Sequence, residues 1–118
     1  MSVNATQATF PIKLSDPWFA YVRDGVKTFE GRCRWKQAAQ IRAGDTLLVT
    51  RADAAESFQA RVVAVHAFRT FEDALNALGL ARTLPGVESV SAGVEVYKQF
   101  VSLKTQREHG VVMVEVKR

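Results

Sequence analysis

Hydrophobic and polar positions in the first third of the chain predict a strand, a short helix and a second strand. Residues 9–14 alternate loosely and include Pro11, which has no N–H for a sheet ladder, so we expect a strand at a sheet edge. A helix of about two turns is predicted between Pro17 and Gly25, since proline favours a helix start and glycine a helix end. Residues 26–34 then alternate as a half-buried strand does, with charged side chains on one face.

The rest of the chain predicts further strands and two helices. An apolar run at residues 46–50 follows a Gly-Asp turn, and a long valine-rich run at 58–68 alternates as a strand. A helix over 70–79 begins with a threonine and an aspartate three residues later, and it ends at a glycine. Apolar side chains at helical spacing predict a second helix, best defined over 93–101. A last strand covers residues 111–116.

This order of elements indicates the fold class. Strands that meet at close turns, with helices confined to insertions, favour an α+β domain around a small curled or closed sheet. A doubly wound parallel sheet is disfavoured, because helices do not alternate regularly with strands.

Composition sets the domain count and the compartment. The chain has 118 residues, of which 47% are hydrophobic and 24% charged, so we expect a flexible tail over residues 1–8 and one domain over 9–118. Cys33 is the only cysteine, which excludes an internal disulfide and favours the cytoplasm. No signal peptide or membrane-spanning run is apparent, so no membrane partner is expected.

The net charge of +4 is modest, but basic residues concentrate between the first helix and the second strand. Five cations and two carboxylates fall within residues 23–36, and aromatic side chains lie among them. Cations beside aromatic rings are what a groove for single-stranded nucleic acid requires. The alternative is a solvated strand face with exposed ion pairs above buried aromatic rings.

The segment 25–32, Gly-Val-Lys-Thr-Phe-Glu-Gly-Arg, reads GxKxxExR and resembles the signature of the ASCH domains of the PUA-like superfamily. Other segments fit the same resemblance over roughly residues 10–117: the turn at 43–45, the Phe-Arg-Thr-Phe segment at 68–71, the Leu-Pro-Gly at 84–86, Tyr97 and the Gly-Val-Val at 110–112.

The resemblance implies a small β-barrel flanked by short helices, with a cleft lined by Lys27, Glu30 and Arg32. It also implies a role in binding RNA or nucleotide-like ligands, and it places Tyr97 near the cleft. Some relatives hydrolyse RNA or modified pyrimidine nucleosides such as N4-acetylcytidine. If this chain is such an enzyme, Lys27 and Glu30 are the candidate catalytic residues.

The chemistry of the three signature residues can be argued without the family. Glu30 and Arg32 project to the same side of a regular strand, so the carboxylate can hold the guanidinium in position. Lys27 precedes the strand and can curl over the same face. A lysine desolvated in a cleft can act as a base, whereas a neighbouring carboxylate keeps it charged. Arg34 and Trp35 extend the predicted nucleic-acid contacts.

Three hypotheses follow: a module that binds single-stranded RNA or a nucleoside or nucleotide, a hydrolase acting on RNA or nucleosides, and an adaptor whose basic face docks a protein. No cofactor is expected. Cys33, His66 and His109 lack the spacing of a metal site, and Cys33 is expected to be a buried apolar residue. The oligomeric state is left open between monomer and homodimer.

Overall fold

The computed structural model describes residues 7–118, so most of the predicted tail lies outside the described residues. Within that range the strands are β1 (Thr9–Leu14), β2 (Phe29–Cys33), β3 (Thr46–Arg51), β4 (Ser57–Phe68) and β5 (Val111–Lys117). The helices are α1 (Trp18–Arg23), α2 (Phe71–Leu78), α3 (Val90–Lys98) and α4 (Leu103–His109), with a 3-10 helix at Lys36–Gln40.

The strands form one mixed sheet in the order β1-β3-β4-β5-β2. β1 runs parallel to β3, and the other neighbouring pairs are antiparallel. β1 therefore lies at an edge, as its proline predicts. The pairing of β4 with β5 shifts register between Val62 and Ala64, and such irregularities increase local twist. The sheet curls into a half-barrel, and the predicted α+β class is confirmed.

β5 is buried on both faces and divides the core into two clusters. Val112, Val114 and Val116 pack with side chains of α1, β1, β3 and β4. Val111 and Met113 pack on the other face with side chains of α2 and α3. The second cluster continues directly into the candidate site.

Helix α4 was not predicted from the sequence. Its sequence, Leu-Lys-Thr-Gln-Arg-Glu-His, has no apolar stripe. The helix is anchored instead by a buried polar side chain, because Gln106 Oε1 accepts a hydrogen bond from the Phe71 N–H at 3.0 Å and Gln106 Nε2 donates to the Val101 carbonyl at 3.1 Å.

Two predicted elements have different bounds from those expected. β2 begins at Phe29 and ends at Cys33. Helix α3 ends at Lys98, so Phe100 lies beyond it and is 76% exposed instead of facing the core.

Candidate functional site

The Lys27 ammonium is buried beneath the start of β2. Gly25, at φ 78°, turns the chain after α1 and returns it toward the sheet. Lys27 is 2% exposed, and its Nζ donates hydrogen bonds to the backbone carbonyls of Phe29, at 2.6 Å, and Thr83. Nζ also lies 3.8 Å from Glu30 Oε1. The hydrogen bonds of Lys27 therefore link the start of β2 to the segment that contains Thr83.

Burial lowers the pKa of Lys27 from its ordinary value, and the charge of Glu30 opposes that shift. The Lys27 ammonium donates to two carbonyls, and the Glu30 carboxylate at 3.8 Å stabilises its positive charge without accepting a hydrogen bond from it. A neutral amine could donate to both carbonyls but would lose this charge interaction. The surroundings of Nζ therefore suit the charged form.

Glu30 holds Arg32 at the side of the cleft. The Glu30 side chain is buried, and its Oε2 accepts from Arg32 Nε and lies 2.9 Å from Arg32 Nη2. The Arg32 side chain is 35% exposed. The predicted same-side relationship of the two residues is thus present, and part of the guanidinium remains accessible although Nη2 also donates to the Lys13 carbonyl at 3.4 Å.

Tyr97 packs against β2 through an unusually close approach. Its ring stacks on Phe71 with centroids 3.9 Å apart and an interplanar angle of 7°. A Cβ at Gly31 would lie 2.9 Å from both the Tyr97 hydroxyl and the Phe71 ring, so only glycine fits there. The buried Tyr97 hydroxyl has no hydrogen-bond partner among residues 7–118. Burial, and then the charge of Glu30, raise the pKa of Tyr97 far above its usual range, so the phenol stays protonated.

These side chains surround a cleft of about 370 Å³. Lys27, Glu30, Arg32 and Tyr97 contribute to its lining. Its volume is in the range of pockets that bind small molecules.

Exposed aromatic rings stand at the mouth of the cleft. Trp35 is 52% exposed, and its ring packs on His109 with centroids 4.2 Å apart. Phe100, 76% exposed, lines the same cleft. Large rings left in solvent beside a cavity are available for stacking on a ligand.

Comparison with models of protein families shows which family this domain belongs to. The model for the ASCH domain matches residues 12–117, nearly the whole chain. The protein belongs to the ASCH domain family. ASCH domains are generally linked to RNA binding.

Solved structures share the ASCH fold. The crystal structure of hypothetical protein PH0355 aligns with a TM-score of 0.83 at 27% identity, covering 92% of this chain and 97% of that one. The solution NMR structure of protein PF0455 from Pyrococcus furiosus aligns with a TM-score of 0.73 at 26% identity, covering 92% and 96%. A mutant of ZmASCH from Zymomonas mobilis, at 12% identity and a TM-score of 0.64, covering 93% and 69%, is similar in fold alone. No curated protein matches the chain in sequence.

The ASCH cleft brings together most of the residues selected from the sequence. Lys27, Glu30, Arg32, Trp35 and Tyr97 all contribute to its lining. Arg34, which was predicted with them, is exposed and does not line the cleft. The alternation that placed Arg34 on the same face stops where β2 ends, one residue earlier.

Sequence reasoning missed several parts of the ASCH cleft. Gly31 was placed in a strand without a role, although a glycine inside a strand signals close approach of another group. Phe71 was assigned only to the start of a helix, and Phe100 to a buried helix face. Cys33, expected to be fully buried, is partly exposed and lines the cleft.

A wider concavity of about 880 Å³ lies elsewhere on the domain. It shares no lining residue with the ASCH cleft. Arg61, Lys117 and Arg118 line it, and it contains none of the predicted site residues. It supplies a basic surface with which the cleft can be compared.

In residues 7–118, no three His, Cys, Asp or Glu side chains cluster closely enough to hold a metal ion. In the same range, no helix is long and apolar enough to cross a membrane.

Proposed function

We propose that this ASCH domain binds single-stranded RNA, or a nucleotide-like ligand, in the cleft built on Lys27, Glu30 and Arg32. The observation that carries the proposal is that the partly exposed Arg32 guanidinium, held by a buried carboxylate, lines the same cleft as two exposed aromatic rings. The membership of this protein in the ASCH family supports the same function.

Arg32 supplies the charge for this function. Glu30 holds it through two contacts at 2.9 Å, so its orientation is set before a ligand arrives. Its Nη1 makes no hydrogen bond to any residue in the described range. A preoriented guanidinium with a free donor is suited to a phosphate oxygen or the edge of a base.

Trp35 and Phe100 supply stacking surfaces. Stacking of a base on an aromatic ring contributes about 1–3 kcal/mol and is open to bases that are unpaired. Both rings are more than half exposed at the mouth of the cleft. This arrangement favours a single strand over a duplex, in which base faces are already stacked.

Hydrolysis of RNA or of a modified pyrimidine nucleoside is the second candidate. The observation that favours it is the buried Lys27 beside Glu30, since burial lowers the pKa of Lys27 in the direction a general base requires. The neighbouring charge of Glu30 acts in the opposite direction on this pKa and favours the charged ammonium. Binding is therefore the better supported function. Formation of product from single-stranded RNA or N4-acetylcytidine by the purified protein would reverse this order.

The binding proposal is tested by fluorescence anisotropy with a labelled single-stranded RNA over a range of salt concentrations. If three to five phosphates are neutralised, log affinity should fall against log salt with a slope of about −2 to −3.5. Arg32→Ala should weaken binding about tenfold and reduce the steepness of the slope by about 0.7.

Arg61→Ala is the matched control, because it removes an exposed arginine from the wider concavity. It should leave the affinity within about twofold of the wild type. A flat salt response, or a larger loss for Arg61→Ala than for Arg32→Ala, would exclude the cleft as the binding site.

A further inference from the structure

The Tyr97 hydroxyl is a buried polar group that the fold itself leaves unused. It has no hydrogen-bond partner among the described residues, although Tyr97 is only 8% exposed. A buried hydroxyl without a partner costs free energy, so its presence calls for an explanation. Phenylalanine would keep the stack on Phe71 and avoid that cost. The hydroxyl group therefore has no role in the packing of the unliganded protein.

A second polar atom in the cleft is also incompletely paired. Glu30 Oε2 holds Arg32, whereas Oε1 accepts no hydrogen bond from any residue in the range 7–118. Lys27 Nζ lies 3.8 Å from Oε1, which is beyond hydrogen-bond distance. The cleft thus offers one strong acceptor and one neutral hydroxyl.

This pair is poorly matched to a phosphate at the same position. Glu30 Oε1 can only accept a hydrogen bond and so repels a phosphate oxygen, while the two cations beside Glu30 are directed elsewhere: Lys27 donates to backbone carbonyls and Arg32 pairs with the other carboxylate oxygen. The complementary group is uncharged. It carries an N–H donor for Glu30 Oε1 beside an acceptor for the Tyr97 hydroxyl.

We propose that Tyr97 and Glu30 together read the Watson–Crick edge of one unpaired nucleobase inserted into the cleft. This inference rests on the proposed function and specifies which part of the nucleic acid enters. The edge of a nucleobase places N–H donors beside acceptors in one plane, which is the pattern the two side chains require. The sugar and phosphate then remain at the mouth, near Arg32 and Trp35.

Isothermal titration of the full chain with free nucleosides tests this orientation. The ligands are uridine and cytidine, the donor-blocked 3-methyluridine and N4,N4-dimethylcytidine, and ribose 5-phosphate. The unmodified nucleosides should bind with little dependence on salt, because they carry no charge. The donor-blocked nucleosides should bind at least about fivefold more weakly, and ribose 5-phosphate should bind more weakly still.

The role of the Tyr97 hydroxyl in this binding is tested with the variant Tyr97→Phe. It should reduce nucleoside affinity about fivefold or more, while the melting temperature without ligand stays the same or rises. If the Tyr97 hydroxyl only stabilised the fold, its removal would instead lower the melting temperature. Ser91→Ala, which deletes an exposed hydroxyl from the same helix, is the control and should change neither quantity.

Two results would overturn the inference. One is equal nucleoside affinity in Tyr97→Phe and the wild type; the other is equal affinity for blocked and unmodified nucleosides. If the wild type still binds single-stranded RNA in either case, the proposed function survives and only the base-reading role is lost. Failure of the wild type to bind both RNA and nucleosides would remove the proposed function as well.

Discussion

Glu30 holds the Arg32 guanidinium through a single carboxylate oxygen, which lies 2.9 Å from both Nε and Nη2. This leaves the other oxygen of Glu30 facing the Lys27 side, at 3.8 Å from Nζ. One buried carboxylate therefore connects a buried cation that stabilises the fold to a more exposed cation that can meet a ligand. The two cations beside Glu30 thus differ in burial, with Lys27 enclosed and Arg32 partly exposed.

Replacing Lys27 tests its structural role. Lys27→Met keeps the length of the side chain but leaves the carbonyls of Phe29 and Thr83 without their donor, and it removes one of the two cations near Glu30. Loss of buried partners of this kind costs about 2–4 kcal/mol. We expect urea denaturation to show a decrease of that size in the free energy of unfolding.

Lys98→Met is the control for Lys27→Met, because Lys98 has only an exposed pairing with Glu95. Exposed pairs of this kind contribute about 0–1 kcal/mol. Equal stability of Lys27→Met and Lys98→Met would show that the Lys27 ammonium is not structural. It would then be available for proton transfer, as the hydrolase hypothesis requires.

The contact between Gly31 and Tyr97 predicts an energetic coupling. Gly31→Ala introduces a Cβ at 2.9 Å from the Tyr97 hydroxyl and from the Phe71 ring. Crowding of this kind costs about 1–3 kcal/mol. Tyr97→Phe removes one of the three atoms that crowd this Cβ, the others belonging to Phe71 and Met113, so the double variant should be more stable than the sum of the single changes predicts.

A double-mutant cycle by chemical denaturation measures this coupling, with about 0.5 kcal/mol or more expected for residues in direct contact. Strict additivity of the two substitutions would contradict the close approach of β2 to Tyr97.

Tyr97 also predicts how stability depends on pH. Its pKa is raised in the folded protein from the ordinary value of 10.0, so above pH 10 the unfolded chain loses this proton while the folded chain keeps it. The folded state then binds more protons, and stability falls as the pH rises. Below pH 10 both states are protonated and the contribution is constant.

The difference in unfolding free energy between the wild type and Tyr97→Phe isolates this effect from other titrating groups. We expect that difference to be flat from pH 7 to 9. Above pH 10, the wild type should lose about 1.4 kcal/mol per pH unit relative to Tyr97→Phe. A difference that stays constant to pH 11.5 would mean that the phenol is open to solvent.

Features set by neighbouring residues could be predicted from the sequence. Thr70 Oγ1 accepts from the Asp73 N–H at 3.2 Å, and Gly79 ends the same helix at φ 77°, as their spacing indicates. The pairing of Glu30 with Arg32 follows equally from the alternation of a strand. Each of these depends on contacts within a few residues along the chain.

Features set by distant residues could not be predicted in this way. Lys27 donates to the carbonyl of Thr83, 56 residues away, so its role as a buried cross-link depends on how two segments pack. Helix α4 depends likewise on Gln106, which bonds to a residue 35 positions earlier. Phe100 is exposed because α3 ends two residues before it. The helical spacing of apolar residues in the sequence does not show where the helix ends.

The proposed function requires single-stranded RNA to occupy the cleft between β2 and α3. Its most direct test is a titration of 15N-labelled protein with a short single-stranded RNA, followed by NMR. If RNA occupies the cleft, the largest shift changes are expected at the Gly31 amide, the Trp35 indole N–H and the amides of residues 97–101. Changes confined to Arg61, Lys117 and their neighbours, with the cleft signals unmoved, would contradict it.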